Sequence, residues 1–288
     1  MTASLAWQPH PETWLLIATL VTLYVTAVVY VGPRKVPAGT PPATTAQKVF
    51  FLLGVVALWL AEDWPLHEIA EDYLFSGHMV QHILFAYVAP PLLLMGMPAW
   101  MFRSILGTGG GGKGGLRFDV FRFFSKPVIA FVLFNGVIAA MHWSPVVNLQ
   151  STNTTFHLGF HVAMITIATL MWSNVVMPVP ELARLAEPVK MMYLFLMSII
   201  PTVPSSFLTF SESPMYSFYE GAPRLWGIDI LTDQRVAGLL MKLGAGLLLW
   251  GIIAVMFFRW YAKEESRSVE TVDWNGFERE LEVWDLRK

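Results

Sequence analysis

The sequence predicts an all-α protein, a polytopic membrane bundle of about seven transmembrane helices with its N-terminus outside and its C-terminus inside. Three observations predict it. Of 288 residues, 55% are hydrophobic and only 14% charged, where soluble domains carry about a quarter charged residues. The apolar residues gather into runs that approach or reach the length of a bilayer crossing, which takes about 20 residues for a core of about 30 Å. Lys and Arg, finally, occupy alternate connections.

The first run, Trp14 to Val31, is preceded by no Lys or Arg and exceeds the apolar segment of a secretory signal, so it reads as a retained helix. The rest are Val49 to Ala61, Met79 to Pro98, Val128 to Trp143, Phe156 to Met177, Met191 to Phe210 and Val236 to Phe258. The second and fourth are short, so either their helices extend into the flanks or the bilayer thins there. Pro90 and Pro91 should kink the third, with neighbouring helices satisfying the freed carbonyls. Six or eight spans are the nearest alternatives.

Across the connections, sixteen Lys and Arg fall on one side and two on the other, with Lys242 inside the last run. Positive connections stay in the cytoplasm, which sets the orientation. Residues 1–262 then form the transmembrane domain and 263–288 a charged cytoplasmic tail, either an amphipathic helix or disordered. Gly107 to Gly115, mostly glycine around Lys113, lacks the strand and the closing residues of a phosphate loop and reads as a flexible linker.

Several function classes drop out. A net charge of −2 with no basic stripe excludes a nucleic-acid partner. The absence of cysteine excludes disulfides, thiolate metal sites and cysteine nucleophiles. No zinc-protease, serine-hydrolase or dinucleotide motif is present, so no enzyme is expected. The 15 methionines read chiefly as helix packing.

The histidines carry the chemistry. On this topology all seven lie at the outer face. His10 sits in the N-terminal segment without an evident role. His67, in the acidic connection that starts at Glu62, is a capture ligand or nothing. His78 and His82 open the third helix, His142 closes the fourth, and His157 and His161 open the fifth. Each spacing of four puts two imidazoles on one helical face. Asp233 opens the seventh helix, with Met241 two turns below it, and Met164 follows His161 by three. Imidazole, carboxylate and thioether together suit copper, and thioether favours the cuprous state. Ionisable groups inside a bilayer face the bundle interior.

Plainer readings stand beside these. Each histidine can be an interhelical hydrogen-bonder, His142 can cap its helix beside Trp143, and Asp233 can cap the seventh helix at its N-terminus. The pairs Glu62-Asp63 and Glu71-Asp72 read as solvated loop charge.

The run from His67 through Glu71, Asp72, His78 and His82 to Pro90, Pro91 and Pro98 resembles the CtaG family, the multi-pass cytochrome c oxidase assembly factors associated with caa-type oxidases. The pair His157 and His161, and the segment Asp233-Gln234 to Met241, are similar to that family's pattern. Lys242 stands where its tryptophan usually follows. The resemblance covers about Val49 to Phe258. It implies a factor in a bacterial cell membrane that supplies copper, as Cu(I), to the catalytic subunit of a haem-copper oxidase. Its partners would be that subunit, the lipid bilayer and an extracytoplasmic copper donor, with a homodimer as a further option. His78, His82, His157, His161 and Asp233 are the positions so implied, and His142 and Met241 complete the candidate metal set.

Three alternatives remain at this stage. A membrane cytochrome would hold haem b between His82 and His161. A metal permease would need polar residues in the inner half, where Asn135 and Asn174 are the main ones. A structural subunit would use its histidines as helix glue.

Overall fold

A computed structural model describes residues 5–108, 114–179, 182–270 and 274–283. The core of the glycine-rich stretch, Lys113 included, and the last residues of the tail lie outside these. The described chain is helical. In chain order the membrane segments are α1 (Pro11–Arg34), α2 (Thr45–Glu62), α3 (Phe75–Gly96), α4 (Leu116–Phe124 with Pro127–Met141), α5 (Thr154–Trp172), α6 (Glu187–Phe210) and α7 (Ile230–Ser266). Six are long and apolar enough to cross a membrane, and α4 makes a seventh if its two halves, bent by 71°, count as one span.

The two short runs resolve differently. α2 does extend into its flank. Thr44 accepts from the Gln47 amide while the Gln47 side chain accepts from the Thr44 amide, a reciprocal cap that starts the helix ahead of the apolar run. α4 turns instead. Lys126 is extended ahead of Pro127, as residues before proline prefer, and leaves a straight piece of 15 residues, Pro127–Met141.

α3 is more enclosed than any other span. Pro90 has no N–H, so the Ala86 carbonyl four residues earlier loses its helical donor. The Trp172 indole of α5 donates to that carbonyl at 2.8 Å, and the chain takes a π-turn over Leu84–Val88. The freed carbonyl is thus satisfied by a neighbouring helix, as expected. Against α2 the contact is backbone to backbone: a Cβ on Gly96 would stand 2.5 Å from the Phe51 nitrogen. The Tyr24 hydroxyl of α1 donates to the Gly96 carbonyl at 2.9 Å and closes this corner.

At the start of α7 the expected cap is displaced by one turn. Asp229, not Asp233, accepts from the Leu231 and Thr232 amides. Asp233 already lies in the first turn, so its side chain projects to the neighbour and caps α3, accepting from Phe75 N–H at 2.7 Å and Ser76 N–H at 3.0 Å. α7 continues through a π-turn at Leu240–Gly244 and past residue 262, with a separate helix at Trp274–Val283. Lys242 is exposed on that π-turn, and no ion pair to it occurs among the described residues.

Candidate metal centre

The starts of α3 and α5 and the end of α2 meet at one end of the bundle. His78 and His82 project from one face of α3, His157 and His161 from one face of α5, and all four are buried. Their rings converge. Centroids lie 4.1 Å apart for His78–His82, 4.2 Å for His157–His161, 5.9 Å for His78–His157 and 5.7 Å for His82–His161.

Two carboxylates complete the cluster. Glu71 Oε2 is 2.9 Å from His157 Nδ1, and its other oxygen is 3.6 Å from His78 Nδ1. Glu62 Oε1, at the last residue of α2, is 3.0 Å from His161 Nδ1. Burial opposes the charge on Glu71, but its contacts with His157 and His78 outweigh this and hold it well below the usual carboxylate range. The expectation of solvated loop charge therefore fails for Glu62 and Glu71. It also fails for Asp63, which accepts from the Trp14 and Trp59 indoles, and holds only for exposed Asp72. The physical reason is shortage of cations: Glu62 to Gly77 carries five carboxylates and no Lys or Arg. Histidines are what is left to pair with them.

The tautomers follow from these contacts. An ionised carboxylate only accepts, so His157 Nδ1 donates to Glu71 and His161 Nδ1 donates to Glu62. Each ring then turns a lone pair at Nε2 toward the other, and the two Nε2 atoms are 2.8 Å apart. Facing lone pairs at that distance require a positive charge between them, either a proton or a metal ion. Carboxylates that hold the far nitrogen of an imidazole are the usual support for a metal-binding histidine. Two nitrogens at about 2.0 Å from a tetrahedral ion stand about 3.3 Å apart, so an ion fits after a small opening. Glu71, His157 and His161 also offer ligand atoms all within 4.8 Å of one another.

The remaining candidates divide. His67 lies 3.6 Å from Glu62 Oε2, and the rings of His10 and His67 are 4.7 Å apart. His10 also contacts Glu68 at 2.5 Å and Glu12 at 3.1 Å. A line of imidazoles and carboxylates thus runs from exposed Glu12 through His10, His67 and Glu62 to His161. His142 caps its helix as expected, through Nδ1 to the Ile138 carbonyl at 2.7 Å. Its other face, with Met241 and His82, lines a separate cavity. Asp233 is spent on the α3 amides and stands apart from the imidazoles, beside Phe75, Tyr216 and Tyr219. Met164 is buried in the core.

Sequence reasoning missed Glu62, Glu71 and His10. Helical spacing gives no signal for Glu71, because extended Leu74 separates its turn from the helix that carries His78 and His82.

With this geometry in hand, likeness to known proteins becomes informative. Residues 9–263 match the model of the family described as cytochrome c oxidase caa3 assembly factor (Caa3_CtaG). The chain belongs to the Caa3_CtaG family. That membership agrees with the apolar helices in making this a multi-pass membrane protein. Uncharacterized proteins of Mycobacterium bovis and Mycobacterium tuberculosis are each 24% identical over 228 residues, covering 74% of this chain and 34% of theirs. One of Mycobacterium leprae is 23% identical over 232 residues, covering 76% and 34%. The Caa3_CtaG chain therefore spans about a third of the length of the curated relatives it matches. No solved structure matches.

Proposed function

We propose that this protein assists the assembly of a haem-copper oxidase of the caa3 kind by binding copper at the imidazole–carboxylate cluster and passing it to the catalytic subunit, without turnover of its own. The observation that carries the reading is the His157–His161 pair, two Nε2 atoms facing each other while both Nδ1 atoms are held by carboxylates. The histidine end faces the extracytoplasmic side, in keeping with the absence of Lys and Arg from the connections there up to Ser211. His10 and His67 at the surface receive the ion, Glu62 and Glu71 draw it inward, and ligand exchange delivers it to a partner docked in the same membrane. Imidazole and carboxylate donors alone suit several divalent ions; the oxidase link is what favours copper.

Haem finds less support. The rings of His82 and His161 are 5.7 Å apart, but the cavity beside His82 is about 20 Å³, far below the several hundred Å³ of a cofactor pocket. The permease reading fares no better, since Asn135 and Asn174 bond carbonyls of their own helices.

Two measurements test the proposal. Purified protein should bind Cu(I) in competition with a chromophoric chelator, and His157→Ala should weaken that binding. In cells lacking the gene, the wild-type chain should restore copper to the caa3-type oxidase and His157→Ala should not. Unchanged Cu(I) binding in both His157→Ala and His78→Ala sinks the site, and full oxidase copper without the gene sinks the role.

A further inference from the structure

Beyond the imidazole–carboxylate cluster, three helices and the end of a fourth enclose a second feature. A cavity of about 20 Å³ is lined by Met79, His82, Met141, His142 and Met241, with Ile83, Tyr87 and Pro201 among its apolar walls. Met79, Met141 and Met241 are all buried. That volume accommodates a single water molecule or metal ion and nothing larger.

The polar groups at this cavity are unsatisfied. Neither ring nitrogen of His82 has a hydrogen-bond partner among the described residues, and His82 is only 5% exposed. His142 Nε2 is equally enclosed and unpartnered, while its Nδ1 is fixed on the Ile138 carbonyl. That bond sets the tautomer: Nδ1 carries the proton, so Nε2 presents a lone pair. Buried imidazole nitrogens almost always find a partner, and methionines alone would explain a well-filled core but not these empty acceptors. Thioethers from α3, α4 and α7 with imidazoles from α3 and the end of α4 form a soft donor set with no carboxylate. Such a set suits Cu(I) and disfavours the oxygen-seeking Mn and Mg.

We propose that this cavity is a second metal site, in which His82, His142 and the thioethers of Met79, Met141 and Met241 hold Cu(I), separate from the harder cluster at Glu71, His157 and His161. The inference rests on the copper reading for its ion but not for its residues. His82 joins the two sites, its ring 4.1 Å from that of His78 and 5.7 Å from that of His161. The ion arrives as Cu(I) at the cluster, is exchanged through His78 onto His82, and comes to rest among sulfurs. No change of oxidation state is involved.

The test uses the full chain in detergent, loaded with Cu(I), then desalted, with metal analysis and X-ray absorption on the same sample. Wild type should retain two ions per chain and show copper–sulfur scattering. The double variant Met141→Leu with Met241→Leu, which keeps side-chain volume and leaves Met79, should lose about one ion and most of the sulfur signal. His157→Ala should lose the other ion and keep the sulfur signal. Should the double variant fail to fold, His142→Gln is read the same way. A single ion in nitrogen and oxygen coordination, unaffected by the methionine changes, overturns the second site and leaves the cluster standing. Copper–sulfur scattering left at full strength by the methionine changes also overturns it. Sulfur-bound copper with His157→Ala indistinguishable from wild type upholds this site and overturns the cluster. No retained copper at all overturns both.

Discussion

The Trp172 indole donates to the Ala86 carbonyl, the acceptor that Pro90 deprives of its own helical partner. A proline break inside the most enclosed helix is thus closed by a side chain 86 residues away. Trp172→Phe keeps most of the ring and removes only the donor, leaving a buried carbonyl unpaired at a cost of about 1–3 kcal/mol. The expected outcome is a lower midpoint of thermal unfolding in detergent. An unchanged midpoint would mean that the Ala86 carbonyl does not depend on the indole for its stability.

The α2–α3 contact makes a steric prediction. Gly96 lies against the Phe51 backbone, and neither backbone can yield without separating the helices. Gly96→Ala should destabilise by about 1–3 kcal/mol, the usual effect of overpacking. Gly136→Ala, where an added Cβ meets nothing within 4 Å, is the control and should be near neutral by the same unfolding assay.

Glu71 offers a test that leaves the imidazoles in place. Glu71→Gln retains shape but gives up the charge that orients His157 and His78. Cu(I) affinity at the cluster should fall by about 10- to 100-fold, the range for loss of a residue that supports a ligand. Equal affinity in the chelator competition would remove Glu71 from the cluster's function.

Asp233 should separate architecture from ligation. Its two oxygens hold the first amides of α3, so Asp233→Ala should cost about 0.5–2 kcal/mol, as for other helix caps. Copper stoichiometry should remain that of the wild type. A variant of normal stability that loses copper would reverse this assignment and make Asp233 a ligand.

Much of this was readable from the chain. Apolar run length gave about seven spans, six of which are long enough by themselves and the seventh a bent pair, and spacing of four gave both histidine pairs. Position at helix starts put those pairs at one end of the bundle. What did not show was anything that depends on a partner distant in sequence. Whether Glu62 and Glu71 are solvated or paired is decided by α5, nearly a hundred residues away from Glu62. Asp233 looked like a cap and is one, but for α3 rather than α7, because a side chain one turn inside a helix can only serve a neighbour. The bend in α4 was hidden because Leu116–Phe124, with Arg117, Asp119 and Arg122, reads as part of a charged cytoplasmic connection. Separation of His142 and Met241 from the main cluster needed three-dimensional packing, since helical periodicity orders residues along one helix and says nothing of the gap between two.

Exposed Lys242 also fixes depth. An ammonium on a four-carbon stem reaches a headgroup only from close by, and about 26 Å of helix separates Lys242 from Arg259 at 1.5 Å per residue. That is nearly the full thickness of the hydrocarbon, the spacing of two cations that snorkel to its opposite margins. Everything in α7 ahead of Lys242, with Asp233 and the α3 start it braces, then stands level with the lipid headgroups or above them. A dissolved cation would meet the imidazoles there without ever entering oil.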